Sequence, residues 1–222
     1  MTGADSAYDA GSAPAGVPRG IVVLVRHGET EWSASGRHTG RTDVPLTEEG
    51  ERQGKALTAV LERLLAGRRV VLALTSPLAR ARRTAQLAGL GATEDPALVE
   101  LDYGEYEGLT TTAIRTSAPS WTVWTGELPG GETLDEAAAR VDALIDRIKA
   151  ALTAVEATDP PPAVVLVAHG HLLRVLAARW IGLPPSAGAM FALGTASVSM
   201  LGREHETPVL VHWNMLVDNG SP

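Results

Sequence analysis

Cysteine is absent from all 222 residues, which excludes disulfides, a thiolate nucleophile and any cysteine-ligated metal. Lysine is close to absent, with Lys55 and Lys149 the only two. Nearly all the positive charge is therefore guanidinium, a group suited to bidentate contacts with oxyanions. No apolar run approaches the length of a membrane span, so no membrane partner is expected. The net charge of −7 argues against nucleic acid or an anionic surface as a partner. An anionic ligand would need arginine gathered locally. The stretch 1–19, MTGADSAYDAGSAPAGVPR, lacks the basic start and apolar centre of a signal peptide. Its Ala, Gly, Ser and Pro content predicts a disordered tail, and the expected location is cytoplasmic. Residues 218–222 are expected to form a short C-terminal tail.

What is present is the material of one folded domain over 20–217. With 45% hydrophobic residues the chain can bury a sizeable core. Three apolar runs each lead through a short turn into a helical pattern: Ile21–Val25, Val70–Leu74 and Val164–Ala168. Continuous runs of this length suit strands buried on both faces. Further helices are predicted from about Thr47 to Ala66, capped by Thr47, and from Thr133 to Val155. Ser76 followed by Pro77 predicts the start of the helix after the second run. The end of the chain, TASVSMLGRE then TPVLVHWNM, reads as a hairpin at the sheet edge. Its outer strand could pair with a neighbouring chain and make a homodimer. The fold class is α/β, with a mostly parallel central sheet and helices on both faces. Residues 104–131 break the alternation, which suits a lid-like insertion. Trp121 and Trp124 within it are expected to pack rather than to form a stacking platform.

In open parallel sheets the ligand crevice lies past the carboxyl ends of the strands. The first run ends on Arg26, His27 and Gly28, the third on His169 and Gly170, and the second leads to Arg80. Two imidazoles and two guanidiniums at one sheet edge suit a phosphoryl group. Arginine forks match its oxygens, and a neutral histidine can attack phosphorus and carry it covalently. No carboxylate–histidine spacing resembles a metal site, so no metal and no other cofactor is expected. Arg82 reads as a solvated helix residue and His171 as a helix-start residue. His38 reads as a loop histidine, either near the substrate or exposed.

The blocks LVRHGET, GRHTGRTDVPLTEEG, TSPLARARRTA, ELDYGEYEG and VAHGH occur in this order in the histidine phosphatase superfamily, the phosphoglycerate-mutase-like fold. The chain resembles that family from roughly Ile21 to Met215. The resemblance implies that His27 is the nucleophile that becomes phosphohistidine, and that Arg26, Arg80 and His169 clamp the phosphate. Glu100, four residues before Gly104, is then the proton donor to the leaving oxygen. Gly28 would let the backbone approach the phosphate, and Gly170 follows the second histidine as the family pattern requires. Thr39 and Gly40 match substrate-contacting positions, and Ser33 stands where many members carry asparagine, leaving a shorter donor. Phosphomonoester hydrolysis is among the slowest uncatalysed reactions. Arg26, Arg80 and a protonated His169 would stabilise charge on the equatorial oxygens, and Glu100 would hold a proton beside the bound dianion.

A mutase must hold a second anionic group while its intermediate turns round, yet Arg115 is the sole cation between Gly104 and Gly131. Hydrolysis of a small phosphorylated metabolite is therefore the expected reaction. Acid phosphatases and sugar-bisphosphate phosphatases are the branches that the blocks resemble. The alternatives are a 2,3-bisphosphoglycerate-dependent phosphoglycerate mutase and a non-catalytic phospho-ligand binding module. If the substrate carries a second phosphate, Arg37, Arg41 and Arg174 are the candidates to meet it.

Overall fold

The computed structural model describes residues 19–155 and 159–216. The tail expected over 1–19, except for Arg19, and the one expected over 218–222 lie outside the described residues. Six strands form one sheet: β1 (Ile21–Arg26), β2 (Arg69–Thr75), β3 (Thr93–Glu94), β4 (Pro162–Ala168), β5 (Val198–Glu204) and β6 (Thr207–Met215). Their order across the sheet is β3-β2-β4-β1-β5-β6. The first four in that order run parallel, and β5 and β6 join antiparallel as the expected edge hairpin. β1 and β4 sit centrally, which is why both read as unbroken apolar runs. Val22, Val23, Leu24 and Val25 stand beside Val164, Val165, Leu166 and Val167, all at most 1% exposed.

The helices are α1 (Glu31–Ala34), α2 (Glu48–Leu65), α3 (Ala79–Leu87), α4 (Thr111–Ile114), α5 (Leu134–Thr153) and α6 (Gly170–Trp180). Side chains alternate across a strand, so each central strand feeds two cores. Ile21, Val23 and Val25 pack with Leu57 and Leu61 of α2 and Ala81 and Ala85 of α3. Val22 and Leu24 pack with Leu144 and Ile148 of α5 and Leu172 and Leu176 of α6. Helices cover both faces, as the alternation predicts. No helix among the described residues is long and apolar enough to cross a membrane.

Local chemistry sets the helix starts. The Thr47 hydroxyl accepts from the Gly50 N–H, a simple cap on α2. Thr133 and Glu136 exchange bonds in a capping box on α5. The expected start of α3 is wrong by two residues. Leu78, not Ser76, occupies its cap position, and the Ala79 N–H is met by the Asp43 carboxylate at 2.7 Å. Ser76 is held elsewhere, at the end of β4.

Segment 104–131 is folded and packed. Ile114, Trp121 and Val123 belong to the α5/α6 core, and His38 pairs with the segment through Leu109 O and Gly108 N. Trp121 is 5% exposed, with its indole N–H donated to Glu127 O. It packs, as expected. Trp124 lies on the site side, against His171.

Candidate active site

His27 follows β1 directly, its N–H bonded to Ala168 O of β4. Its ring Nδ1 lies 2.7 Å from Gly28 O. A carbonyl can only accept, so Nδ1 carries the hydrogen and Nε2 keeps its lone pair. Burial, then Arg80, then Arg26 hold His27 well below the ordinary imidazole range despite that carbonyl. The result is a neutral ring with an unprotonated nitrogen, the form a nucleophile needs.

The second histidine is not the expected cation. Arg80 Nε donates to His169 Nδ1 at 3.2 Å, so that nitrogen holds a lone pair, and Nε2 lies 2.7 Å from Ser76 Oγ. Burial, then Arg80, depress its protonation well below the ordinary range. His169 is therefore neutral, and both of its nitrogens are engaged. The rings of His27 and His169 are 5.1 Å apart. Arg80 is fully buried and also donates to Thr42 O, Thr39 O and Gly40 O. Of its five N–H groups, four are engaged in this way and one on Nη1 remains.

Arg26 is differently placed. Nη1 donates to Leu193 O, while its buried Nε has no partner among the described residues. An orphaned buried donor costs about 1–3 kcal/mol, and such exceptions point to a missing acceptor. Gly170 opens α6 beside it: a Cβ there would lie 3.3 Å from Arg26 Cζ and Nε, pressing on the guanidinium. Glu100 stands at the N-terminus of α6, 4% exposed. Its Oε1 accepts from Leu101 N and Leu172 N, and its Oε2 from His171 N. With two lone pairs per oxygen, Oε1 is saturated and Oε2 retains one site for a proton.

A cavity of about 160 Å³ gathers Arg26, His27, Glu100, Gly170, Ser33 and Thr39, with Gly36, Arg37, His38, Tyr103 and His171. Gly28, Gly40, Arg80 and His169 are not among its lining residues. Ser33 offers less than expected, because its hydroxyl hydrogen is donated to Thr30 O inside a capping box. Packing by itself requires glycine at both Gly28 and Gly40. A Cβ on Gly40 would meet Leu101 O at 2.3 Å, and one on Gly28 would meet Gly50 O at 2.4 Å. Gly28→Ala must therefore push α2 off the turn that carries His27. The expected cost is about 1–3 kcal/mol, read as a lowered thermal midpoint; an unchanged midpoint would mean that α2 backs away freely.

Of the three arginines considered for a second phosphate, Arg37 alone lines the cavity. Arg41 pairs with Asp102 at 3.4 Å. Arg174 donates to Gly188 O and Ala189 O, with its guanidinium 4.5 Å from the Trp124 ring centre. Reading by sequence missed Ser76, Tyr103 and His171, and left His38 open between site and surface. His38 is 9% exposed and bonded through Nε2 to Thr111 Oγ1. The second histidine of AHGH and the tyrosine of ELDYG lay inside blocks already noted, which was the available signal.

The sequence profile of the histidine phosphatase superfamily (branch 1) matches residues 22–216. An acid phosphatase of Mycobacterium tuberculosis is 42% identical over 191 residues, 86% of this chain and 90% of that protein. The sedoheptulose 1,7-bisphosphatase of Saccharomyces cerevisiae is 34% identical over 183 residues, 72% and 67% of the two chains. The mycobacterial glucosyl-3-phosphoglycerate phosphatase, solved with VO3, superposes with a TM-score of 0.72 at 31% identity, covering 88% of this chain and 98% of that one. The chain belongs to the histidine phosphatase superfamily. Its reaction class is that of a phosphatase of the histidine type.

Proposed function

We propose that the chain hydrolyses phosphomonoesters of small metabolites by way of phosphohistidine at His27. The carrying observation is the Nδ1 bond to Gly28 O, which leaves Nε2 as the free lone pair in a cavity shared with Glu100 and Arg26. In the first step Nε2 forms a bond to phosphorus while the P–O ester bond breaks. The Glu100 Oε2 proton passes to the leaving oxygen, which would otherwise depart as a strongly basic alkoxide. In the second step water gives a proton to Glu100 and attacks phosphorus. The N–P bond breaks, and Nε2 recovers its lone pair. Arg26 and the remaining N–H of Arg80 offset charge on the oxygens; His169, neutral, holds Arg80 and Ser76 in place. Gly170 keeps the space beside Arg26 clear, and Thr39 meets the substrate from the rim, with Gly40 and Gly28 supporting from behind.

Hydrolysis is favoured over mutase chemistry because Arg115, the sole cation of segment 104–131, turns inward to Trp121 O. The deciding measurement is phosphate release from a panel of sugar phosphates and phosphoglycerates, with no metal and no bisphosphoglycerate added. Conversion of 3- to 2-phosphoglycerate only after priming would overturn hydrolysis, and phosphate binding without turnover would favour a binding module. Residues 20–217 are read as the catalytic domain, with 104–131 as its insertion, and a cytoplasmic location fits the cysteine-free composition. β6 is the last strand at one edge of the sheet among the described residues, so a homodimer through that strand is part of the same proposal. Sedimentation velocity reads it directly.

A pH prediction follows from three buried imidazoles. His27, His169 and His171 are each held well below their ordinary value, in every case with burial as the leading cause. In NMR titration of the ring signals they should remain neutral as pH falls through about 6.5, the unperturbed value. Below that pH the unfolded chain binds protons that the folded chain refuses, so stability declines as pH falls. The nucleophile thus stays active into mild acid while the thermal midpoint drops. A His27 ring protonating at 6.5 or above would contradict the geometry.

A further inference from the structure

Tyr103 and His171 form a buried pair inside the cavity that the hydrolytic steps do not use. The Tyr103 hydroxyl lies 2.6 Å from His171 Nδ1 and has no other hydrogen-bond partner among the described residues. A phenol is a far stronger acid than a neutral imidazole N–H, and an imidazole nitrogen is the stronger base. The hydrogen therefore lies on Tyr103 and is donated to Nδ1. That bond fixes the tautomer: Nε2 carries the hydrogen of His171. Nε2 has no hydrogen-bond partner among the described residues, and the side chain keeps 21% of its surface open while lining the cavity. Trp124 and His38 flank the ring at 5.3 and 5.9 Å between centres, so it has little room to turn.

The position of this donor is informative. The His171 backbone N–H binds Glu100 Oε2 at 2.9 Å, the same oxygen that retains a site for the proton. His171 therefore stands next to the place where the leaving oxygen must sit. Arg174 donates to Gly188 O and Ala189 O, and its positive charge bears on the His171 ring.

We propose that His171, with its tautomer set by Tyr103, is a specificity-determining donor that accepts as substrate a phosphate ester bearing a neutral hydroxyl on the carbon beside the ester carbon. The substrate class is then polyol and sugar phosphates, as against simple alkyl phosphates. This rests on the phosphatase reading given above and adds to it a preference among substrates. His171 contacts the substrate and Tyr103 positions His171; neither forms nor breaks a covalent bond.

The test compares glycerol 3-phosphate with n-propyl phosphate, which share a three-carbon chain and differ in the hydroxyls. p-Nitrophenyl phosphate serves as a reference. The parent should favour glycerol 3-phosphate in kcat/KM by about tenfold or more, the value of one well-placed hydrogen bond in a closed site. His171→Leu should collapse that ratio toward one, whatever loss both substrates share. His171→Gln, whose amide N–H reaches a similar point, should restore most of it. Tyr103→Phe, which frees Nδ1 and lets the tautomers mix, should lower the ratio about threefold.

A parent with no preference, or a His171→Leu variant with the parental ratio, would overturn the proposal. A parental ratio in Tyr103→Phe would overturn the tautomer lock. If the parent releases phosphate from none of the three esters, it is the phosphatase reading that fails. Turnover of p-nitrophenyl phosphate without a hydroxyl preference removes the present inference alone.

Discussion

Alanine at His27 should lower phosphate release by on the order of 10⁴-fold or more, since removal of a covalent nucleophile leaves only binding and charge stabilisation. The reasoning is local. Arg26 and Arg80 would still gather the phosphate, but no other side chain in the cavity offers an unprotonated nitrogen fixed by a carbonyl as His27 is. Water would have to attack the ester directly, against the barrier that makes this reaction so slow. The check is steady-state phosphate release, together with rapid quenching and intact mass. The parent should show one added phosphoryl group during turnover, and the variant none. A variant within tenfold of the parent would remove His27 from the chemistry.

Glutamine at Glu100 should have the second largest effect, and its pattern across substrates is the informative part. General acid assistance is worth roughly 10²–10⁴-fold for poor leaving groups. Alkyl and sugar phosphates should lose that much. With p-nitrophenyl phosphate the first step needs little protonation, so nitrophenolate should appear in a burst of about one per chain. The second step lacks its base, so turnover then slows and phosphohistidine accumulates. The substitution also has a structural cost. All three protein groups bonded to the carboxylate are backbone N–H donors, so the amide NH₂ must face at least one of them. That mismatch costs about 1–3 kcal/mol and should lower the thermal midpoint by several degrees. The ratio between substrates is independent of it. Equal losses on both ester types, with no burst, would assign the proton to another group.

The central sheet was legible because burial on both faces leaves a plain record in composition. Ile21–Val25 and Val164–Ala168 could be little else, and the strand ends then placed His27 and His169 at one edge. What composition could not reveal was how each polar group spends its hydrogen bonds. Ser76 before Pro77 is a good local cap signal, yet Asp43, distant in sequence, caps α3 and Ser76 answers His169. The expected positive charge on His169 failed for the same reason: Arg80 points an N–H at Nδ1, a fact of three segments meeting. Gly28 was read for the ligand alone, and its packing against the first turn of α2 shows only once the chain is folded. His38, Tyr103 and His171 come from three different stretches, and nothing in the sequence ties them together before the chain folds.

Segment 104–131 leans on the site from one side, through Leu109 on His38 and Trp124 on His171, whereas Arg26 and His27, the groups proposed to handle phosphorus, belong to the end of β1. Part of the wall around the proposed specificity donor His171 is thus supplied by a stretch separate from the strand end that carries His27. Insertions or exchanges within that segment can reshape the surroundings of His171 without altering the β1 end. A lineage built this way can diversify its diet of substrates while inheriting a single reaction, and an engineer can graft a new segment onto an unaltered sheet edge.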